Sequence, residues 1–350
     1  MSGYLWGLRY MRDIGVGLIG YGLGGRAFHA PYIATTPGLF LCSVVSRDPA
    51  KVHADWPDVR IAADVATLLA DPAIDLVVVS SPDHLHAKHA IAALHAGKHV
   101  VIDKPFANSL EEALAVAAEA ERHGLLLTVF HNRRWDADFL TLRRQIDEGK
   151  LGTIVQFESR FDRWRPEPAA VWKESRIAGS WLDLGPHLVD QALVLFGRPQ
   201  SISLDLATLR EGAPAPDYFH AVLAYDGLRV ILHGSKLVAD HGLRFAVHGT
   251  KGSWIKHGTD IQEAAVLSGL HPLGRDWGAD PLEGMFTSGG QSTGNRVANE
   301  AGDYRRFWSA LVAALRGEGP NPVNPQEALA VMEVLAAGLK SSAHGLAELL

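Results

Sequence analysis

The sequence predicts an α/β chain in two parts, a doubly wound parallel sheet followed by an α+β part built on a large, open, mostly antiparallel sheet. Three observations lead there. Short β-branched and aliphatic runs alternate with alanine-rich amphipathic segments through about residue 131. A glycine cluster directly follows the first of those runs. Beyond about Trp135 the pattern changes to alternating polar and apolar segments joined by turn residues. At 350 residues the chain has room for two domains, with boundaries expected at 13–131 and 132–350 behind a short extension, 1–12. That extension lacks the apolar core and cleavage site of a secretory signal, and either Met1 or Met11 could serve as the start.

The elements follow in order. Residues 14–20, 39–46, 75–81, 99–103 and 125–131 read as strands. Their continuous apolar character suits a parallel sheet covered on both faces. The helical segments between them close on glycine, and Ser109 with Glu112 forms a capping box at the start of one. A helix is expected over Asp138–Gly149, then strands over 153–164, 201–210, 218–237 and 244–257, and a last helix over 325–343. Asp226-Gly227 and Lys251-Gly252 are read as hairpin turns inside the last two strand segments.

Composition excludes several classes. A net charge of −6 with only short basic runs argues against a nucleic-acid or membrane partner, and Arg133-Arg134 and Arg143-Arg144 read as a solvated face or a local ion pair. No apolar run approaches the ~18 residues of a membrane span. The lone cysteine, Cys42, lies in an apolar run, excludes an internal disulfide and a cysteine zinc site, and suits a reducing, cytoplasmic location.

The glycine cluster is Gly20-Tyr21-Gly22-Leu23-Gly24-Gly25. Between a strand and a helix, G-x-G-x-x-G marks a dinucleotide-binding Rossmann domain. Gly20 permits the turn, Gly22 lets backbone approach a pyrophosphate, and Gly25 lets helix pack on strand. The cofactor loop is therefore expected at Gly20, Gly22, Leu23 and Gly25. The second strand ends in Ser46 and Arg47, which suit the 2′-phosphate of NADP, while Asp48 before Pro49 suits a helix cap. NADP is favoured, with NAD left open because Asp48 could turn toward the ribose.

In "GSWLDLGPHLVDQAL" (179–193), Asp183, His187 and Asp190 lie at spacings of four and three, one stripe of a helix. A helix cap entered through Gly185-Pro186 would account for Asp183 alone. A metal site is set against the lack of a third ligand cluster, and none is expected.

Together the glycine motif, "VIDKPFA", "HNRRWD" and "LDLGPHLVD" resemble the Gfo/Idh/MocA oxidoreductases, from about residue 14 to the C-terminus. Within that family "GYGLGGRAFHAP", "RFDRWRPE" and "LDLGPHLVDQALVLFG" are most similar to NADP-dependent scyllo-inositol dehydrogenases. Two departures stand out: Asp103 where the family usually has Glu before Lys-Pro, and Ala178-Gly179-Ser180 where a run of glycines is common. The resemblance implies hydride transfer between a cyclic polyol or sugar and NADP. It gives Lys104, Asp183 and His187 to catalysis. Lys104 steadies the developing alkoxide, His187 takes the hydroxyl proton, and Asp183 orients one of them. It places Ser81, Pro82, His86, Lys104 and Pro105 against the cofactor, and Asn132 and Arg133 against nicotinamide or substrate. Asp190, Arg160, Trp164 and Trp172 would bind the polyol, although Arg160 and the tryptophans suit an exposed sheet face or subunit interface equally well. A homodimer or homotetramer is implied. Rival readings are an NAD-dependent glycoside hydrolase of the same fold and a non-catalytic dinucleotide sensor.

Overall fold

The computed structural model describes residues 13–169, 174, 178–240 and 242–350. The expected 1–12 extension and Trp172 lie outside the described residues.

The first half forms a parallel sheet of strands β1 (Ile14–Ile19), β2 (Leu39–Val45), β3 (Arg60–Ala62), β4 (Leu76–Val79), β5 (His99–Ile102) and β6 (Leu127–Val129) in the order β3-β2-β1-β4-β5-β6. Order reverses between β1 and β4, and in such sheets ligands bind at the carboxyl edge beside that switch point. Val77, Val78, Val79, Val100, Val101 and Ile102 have no solvent exposure, the two-sided burial that the unbroken apolar runs require. Helices α1 (Ala30–Thr35), α2 (Pro49–Asp55), α3 (Val65–Leu69), α4 (His86–His95) and α5 (Leu110–His123) make the crossovers. A π-helical stretch, Gly24–His29, leads into α1. Strand β3 escapes the sequence reading because it has three residues and only Ala62 is buried.

The second half begins with α6 (Ala137–Asp147) and builds a nine-stranded sheet. Its strands are β7 (Ile154–Arg160), β8 (Ser201–Ala207), β9 (Tyr218–Tyr225), β10 (Leu228–Ser235), β11 (Leu243–Gly249), β12 (Gly252–His257), β13 (Gly284–Ser288), β14 (Asn295–Val297) and β15 (Glu348–Leu349). The order is β14-β13-β12-β11-β7-β10-β9-β8-β15, antiparallel except for β7 beside β10. Strand β9 alternates half-buried and buried residues from end to end, the mark of a sheet with one packed face. Helices α7 (Ser180–Phe196) and α10 (Pro325–His344) cover that face, and Gly338 of α10 lets Trp181 of α7, Ile202 and Leu204 close around it. Helices α8 (Gln262–Leu267) and α9 (Arg305–Leu315) complete this half. The Asp226-Gly227 turn forms as expected, with Gly227 at φ +68°. The other turn falls on Thr250-Lys251, because Gly252 already pairs with Ser288 in β13.

Helix α7 starts at Ser180, where Gly179 has φ +49° and packs so tightly on Pro216 that a Cβ would come within 1.8 Å of its carbonyl oxygen. Ser180 N–H donates to that same carbonyl at 2.8 Å. Gly185 and Pro186 thus lie inside the helix, and Asp183 does not cap an entrance there. Pro186 cannot donate to the Leu182 carbonyl, and its ring loosens this turn. On that turn the neighbouring Asp183 carbonyl accepts an outside donor.

Candidate active site

The site assembles where the carboxyl edge of the parallel sheet meets α7. At the glycine loop, Gly20 has φ +101°, and a Cβ there would lie 2.4 Å from the Ser80 carbonyl oxygen. A Cβ on Gly25 would lie 2.2 Å from the Gly20 carbonyl oxygen, so helix and strand close as the motif requires. Gly22 is different: a Cβ there would meet nothing within 4 Å. Its space faces outward, and the need for glycine at this point comes from something other than the protein's own packing. A pyrophosphate laid along this backbone fits that space. Leu23 beside it is exposed.

At the end of β2, the Asp48 carboxylate accepts from Lys51 N–H at 3.1 Å and caps α2. Ser46 Oγ holds the same turn, 3.1 Å from Asp48 N–H, and Arg47 is exposed. His86, read in the sequence as bordering the cofactor, is instead buried. Its ring nitrogens bond the carbonyls of Pro105 (2.8 Å) and Ser81 (2.9 Å), tying the two edge loops together. Ser81 Oγ meets His89 Nδ1 at 3.0 Å. Pro82 precedes the short helical turn 83–85.

Lys104 follows β5 and is joined to Pro105 by a cis peptide. Its Nζ donates to the Asp183 carbonyl at 2.7 Å and lies 3.4 Å from the Asp183 carboxylate. Asp103 braces it from behind. One carboxylate oxygen accepts Lys104 N–H at 2.9 Å, and the other accepts Ser80 Oγ at 3.2 Å and lies 3.4 Å from His29 Nε2. Burial alone would push the Asp103 carboxyl up, but His29, Lys104 and His86 overcome it and hold the group well below the usual carboxylate range.

His187 is buried on α7, edge-on to Phe161 at 6.2 Å between ring centroids. Burial, reinforced by Lys104, Arg133, His131 and Arg244, pushes its pKa well below the usual value. The same burial and positive neighbours disfavour its charged form. Nδ1 has no hydrogen-bond partner among the described residues. His131, at the end of β6, is buried nearby, with both ring nitrogens unpartnered among the described residues.

Several residues expected to face substrate have other work. Asp190 is taken by Arg134: Nε lies 2.9 Å and Nη2 2.7 Å from its two carboxylate oxygens, and Arg134 also reaches Glu327 at 2.7 Å. Arg134 is thus half-buried in ion pairs whose partners lie far along the chain, neither on a solvated face nor in a local pair. Arg133 is buried, bonded to Asp136 (3.2 Å) and Glu263 (3.0 Å) and stacked on Phe161. Asn132 is buried at the same edge. Arg160 does not share the site's face. Phe157 packs on Phe196 of α7, so strand alternation turns Arg160 and Glu158 to the other side, where they pair at 2.6 Å. Trp164 is 53% exposed and bridges to Leu237.

The sequence reading missed Arg244. It is buried between Phe161 and Phe245 and bonded to Ser159 and Gln191, both at 2.6 Å, and Gln191 in turn donates to the Arg133 carbonyl at 2.8 Å. A cavity of about 370 Å³ opens at Asp183, lined also by Arg165, Glu167, Glu174 and Lys236. Lys236 Nζ meets both Glu174 oxygens at 3.1 Å, and Arg210 clamps Glu174 (2.6 Å) and Asp217 (2.9 Å) beneath it.

A nucleotide-binding carboxyl edge, Lys104 held there by Asp183 of α7, and His187 one turn further along the same helix suit an oxidoreductase site. Comparison with known proteins agrees. The profile described as "Oxidoreductase family, NAD-binding Rossmann fold" matches residues 14–131, and "Oxidoreductase family, C-terminal alpha/beta domain" matches 143–347. The chain belongs to the Gfo/Idh/MocA oxidoreductase family. It is 47% identical to an uncharacterized oxidoreductase of Escherichia coli (YdgJ), covering 95% of this chain and 97% of that one. It is 37% identical to the scyllo-inositol 2-dehydrogenase (NADP(+)) IolW of Bacillus subtilis, covering 97% and 96%. A solved structure from Yersinia pestis superposes with a TM-score of 0.94 at 47% identity over 97% of each chain.

Proposed function

We propose that the protein is an NADP-dependent dehydrogenase that oxidises a secondary alcohol of an inositol-like cyclic polyol or sugar to the ketone. The observation that carries this reading is the placement of Lys104 Nζ, held by the Asp183 carbonyl at the carboxyl edge of the nucleotide-binding sheet, with Asp183 itself lining the cavity. When bound, the nicotinamide supplies the hydride acceptor.

The chain's own residues supply the rest. Lys104 meets the substrate oxygen with a fixed positive charge and stabilises it as the O–H proton leaves. His187, whose Nδ1 has no hydrogen-bond partner among the described residues, accepts that proton. A nicotinamide held along the Gly20–Gly25 loop would take the hydride from that carbon as the oxygen closes to a carbonyl. Asp183 steadies Lys104. The Lys236–Glu174 pair offers donors and acceptors to the remaining hydroxyls of a ring in the cavity. The capping role of Asp48 leaves Ser46 and Arg47 to meet a 2′-phosphate, which supports NADP over NAD, as does the name of the 37% identical relative.

The test is absorbance at 340 nm with purified protein, NADP or NAD, and a panel of inositols and aldoses. Reduction of NADP by a cyclic polyol, lost in Lys104→Ala, is expected. Cofactor binding without reduction by any member of the panel, or a Lys104→Ala variant with undiminished rate, would overturn the reading.

A further inference from the structure

At the other edge of the parallel sheet, away from the nucleotide loop, three ligating side chains meet. His95 is the last residue of α4; Glu119 and His123 lie one turn apart at the end of α5. Both helices run toward the amino edge of the strands that follow them, β5 and β6, so the cluster is remote from Lys104. His95 Nε2 lies 3.0 Å from Glu119 Oε2, and His123 Nε2 lies 3.6 Å from the same oxygen. All three ligating atoms lie within 4.8 Å of one another.

These spacings are close to those of a coordination sphere. Zinc bonds nitrogen and carboxylate oxygen at about 2.0–2.2 Å, which sets tetrahedral donor–donor edges near 3.4 Å. The separations of 3.0 and 3.6 Å bracket that edge. A second observation marks the point as a cation position. The Arg122 guanidinium already reaches into it: Nη2 contacts Glu119 Oε2 and lies 3.4 Å from both His95 Nε2 and His123 Nε2. Arg122 is long and 62% exposed, so it can swing to solvent and vacate the position at little cost, since an exposed ion pair contributes little.

We propose that His95, Glu119 and His123 form a surface site for a borderline transition-metal cation of the zinc or nickel class, which pins α4 to α5 and takes no part in the reaction. Two imidazoles and one carboxylate suit zinc, nickel or copper. Calcium and magnesium, which take oxygen ligands, are excluded. A fourth position stays open to water, because the cluster faces solvent. The ion binds the folded chain, where the two helices bring the three ligands together, and so stabilises it.

The test is isothermal titration of the full, tag-free chain with zinc chloride, beside thermal melting. The wild type should bind one ion per chain and melt at a higher temperature with zinc. His95→Ala and His123→Ala should each weaken binding by roughly tenfold or more and abolish the thermal shift. Arg122→Ala, which removes the competing cation, should bind more tightly than wild type. The rate of the 340 nm assay should not change on zinc addition. All of these side chains are at the surface, so the variants keep the fold, which circular dichroism checks. Absence of binding, or binding that survives both histidine substitutions, would overturn the proposal.

Discussion

Replacing Asp190 by alanine separates two accounts of this residue. As a substrate ligand, its loss would raise the KM for the polyol and leave stability alone. In the structure the carboxylate is 3% exposed and both oxygens are engaged by Arg134, itself 11% exposed. Removing one partner of such a pair costs about 3–5 kcal/mol, because the other charge remains buried. Arg134 keeps Glu327, a 46% exposed partner that compensates only in part, which argues for the lower end, about 3 kcal/mol. Native proteins are stable by only ~5–15 kcal/mol, so this is a large fraction. In a thermal melt the shift should be a fall of roughly 6–12 °C, at about 2–4 °C per kcal/mol for a unit of this size. Asp190→Leu combined with Arg134→Met should recover most of it, since a matched apolar pair removes the stranded charge. Well below the melting temperature, the KM for the polyol should stay within a few-fold of wild type. An unchanged melting temperature with a steep rise in KM would refute the reasoning and restore Asp190 to the substrate.

Gly22→Ala should melt like wild type, because a Cβ there meets no protein atom within 4 Å, yet lose NADP affinity by roughly tenfold or more, about 1.4 kcal/mol, in a fluorescence titration. Gly25→Ala should instead lower the melting temperature, its Cβ being driven against the Gly20 carbonyl. Arg47→Ala should raise the KM for NADP by about 10–150-fold, the equivalent of ~1.5–3 kcal/mol for a charged hydrogen bond, and leave the KM for NAD unchanged. Burial, with Arg160 and His220, lowers His233 to about 4, and His187 is lowered well below its usual value. Each binds its proton less readily folded than unfolded, so its contribution to stability is complete above about pH 6.5 and is lost as pH falls toward the folded pKa. Denaturation midpoints should therefore drop between pH 6.5 and 4, with a slope of up to about 1.4 kcal/mol per pH unit from each group, and His233→Asn should flatten the curve.

The parallel sheet was legible because its strands are buried on both faces, so hydrophobic runs and glycine punctuation mark them with no tertiary information. β3 and β14 were not, because a three-residue edge strand with little buried surface carries too short a pattern. Lys104, Asp183 and His187 were singled out by fold position, helix spacing and family resemblance. The sequence could not show where the surrounding charges go. Asp190 lies on the helix stripe that its spacing gives, but its partner Arg134 lies 56 residues earlier, and nothing local distinguishes a paired arginine from a solvated one. Arg244 was hidden by a local irregularity. The register of β11 shifts between Leu243 and Phe245, which frees Arg244 from strict alternation and lets both it and Phe245 be buried. Arg160 shows the opposite case: plain alternation from Phe157 puts it on the outer face, the alternative held equally with substrate binding in the sequence reading.

The central claim is direct transfer of hydride from an alcohol carbon to the nicotinamide, over a site made of Lys104 and His187. It is tested most directly by incubating the protein with NADP and an inositol carrying deuterium on its ring carbons, then examining the reduced cofactor by mass spectrometry and NMR. The account predicts one deuterium at nicotinamide C4, matched by one equivalent of ketone, with both lost in Lys104→Ala. Reduced cofactor without deuterium, or an unlabelled cofactor returned intact while a glycoside in parallel assays loses its aglycone, would contradict it.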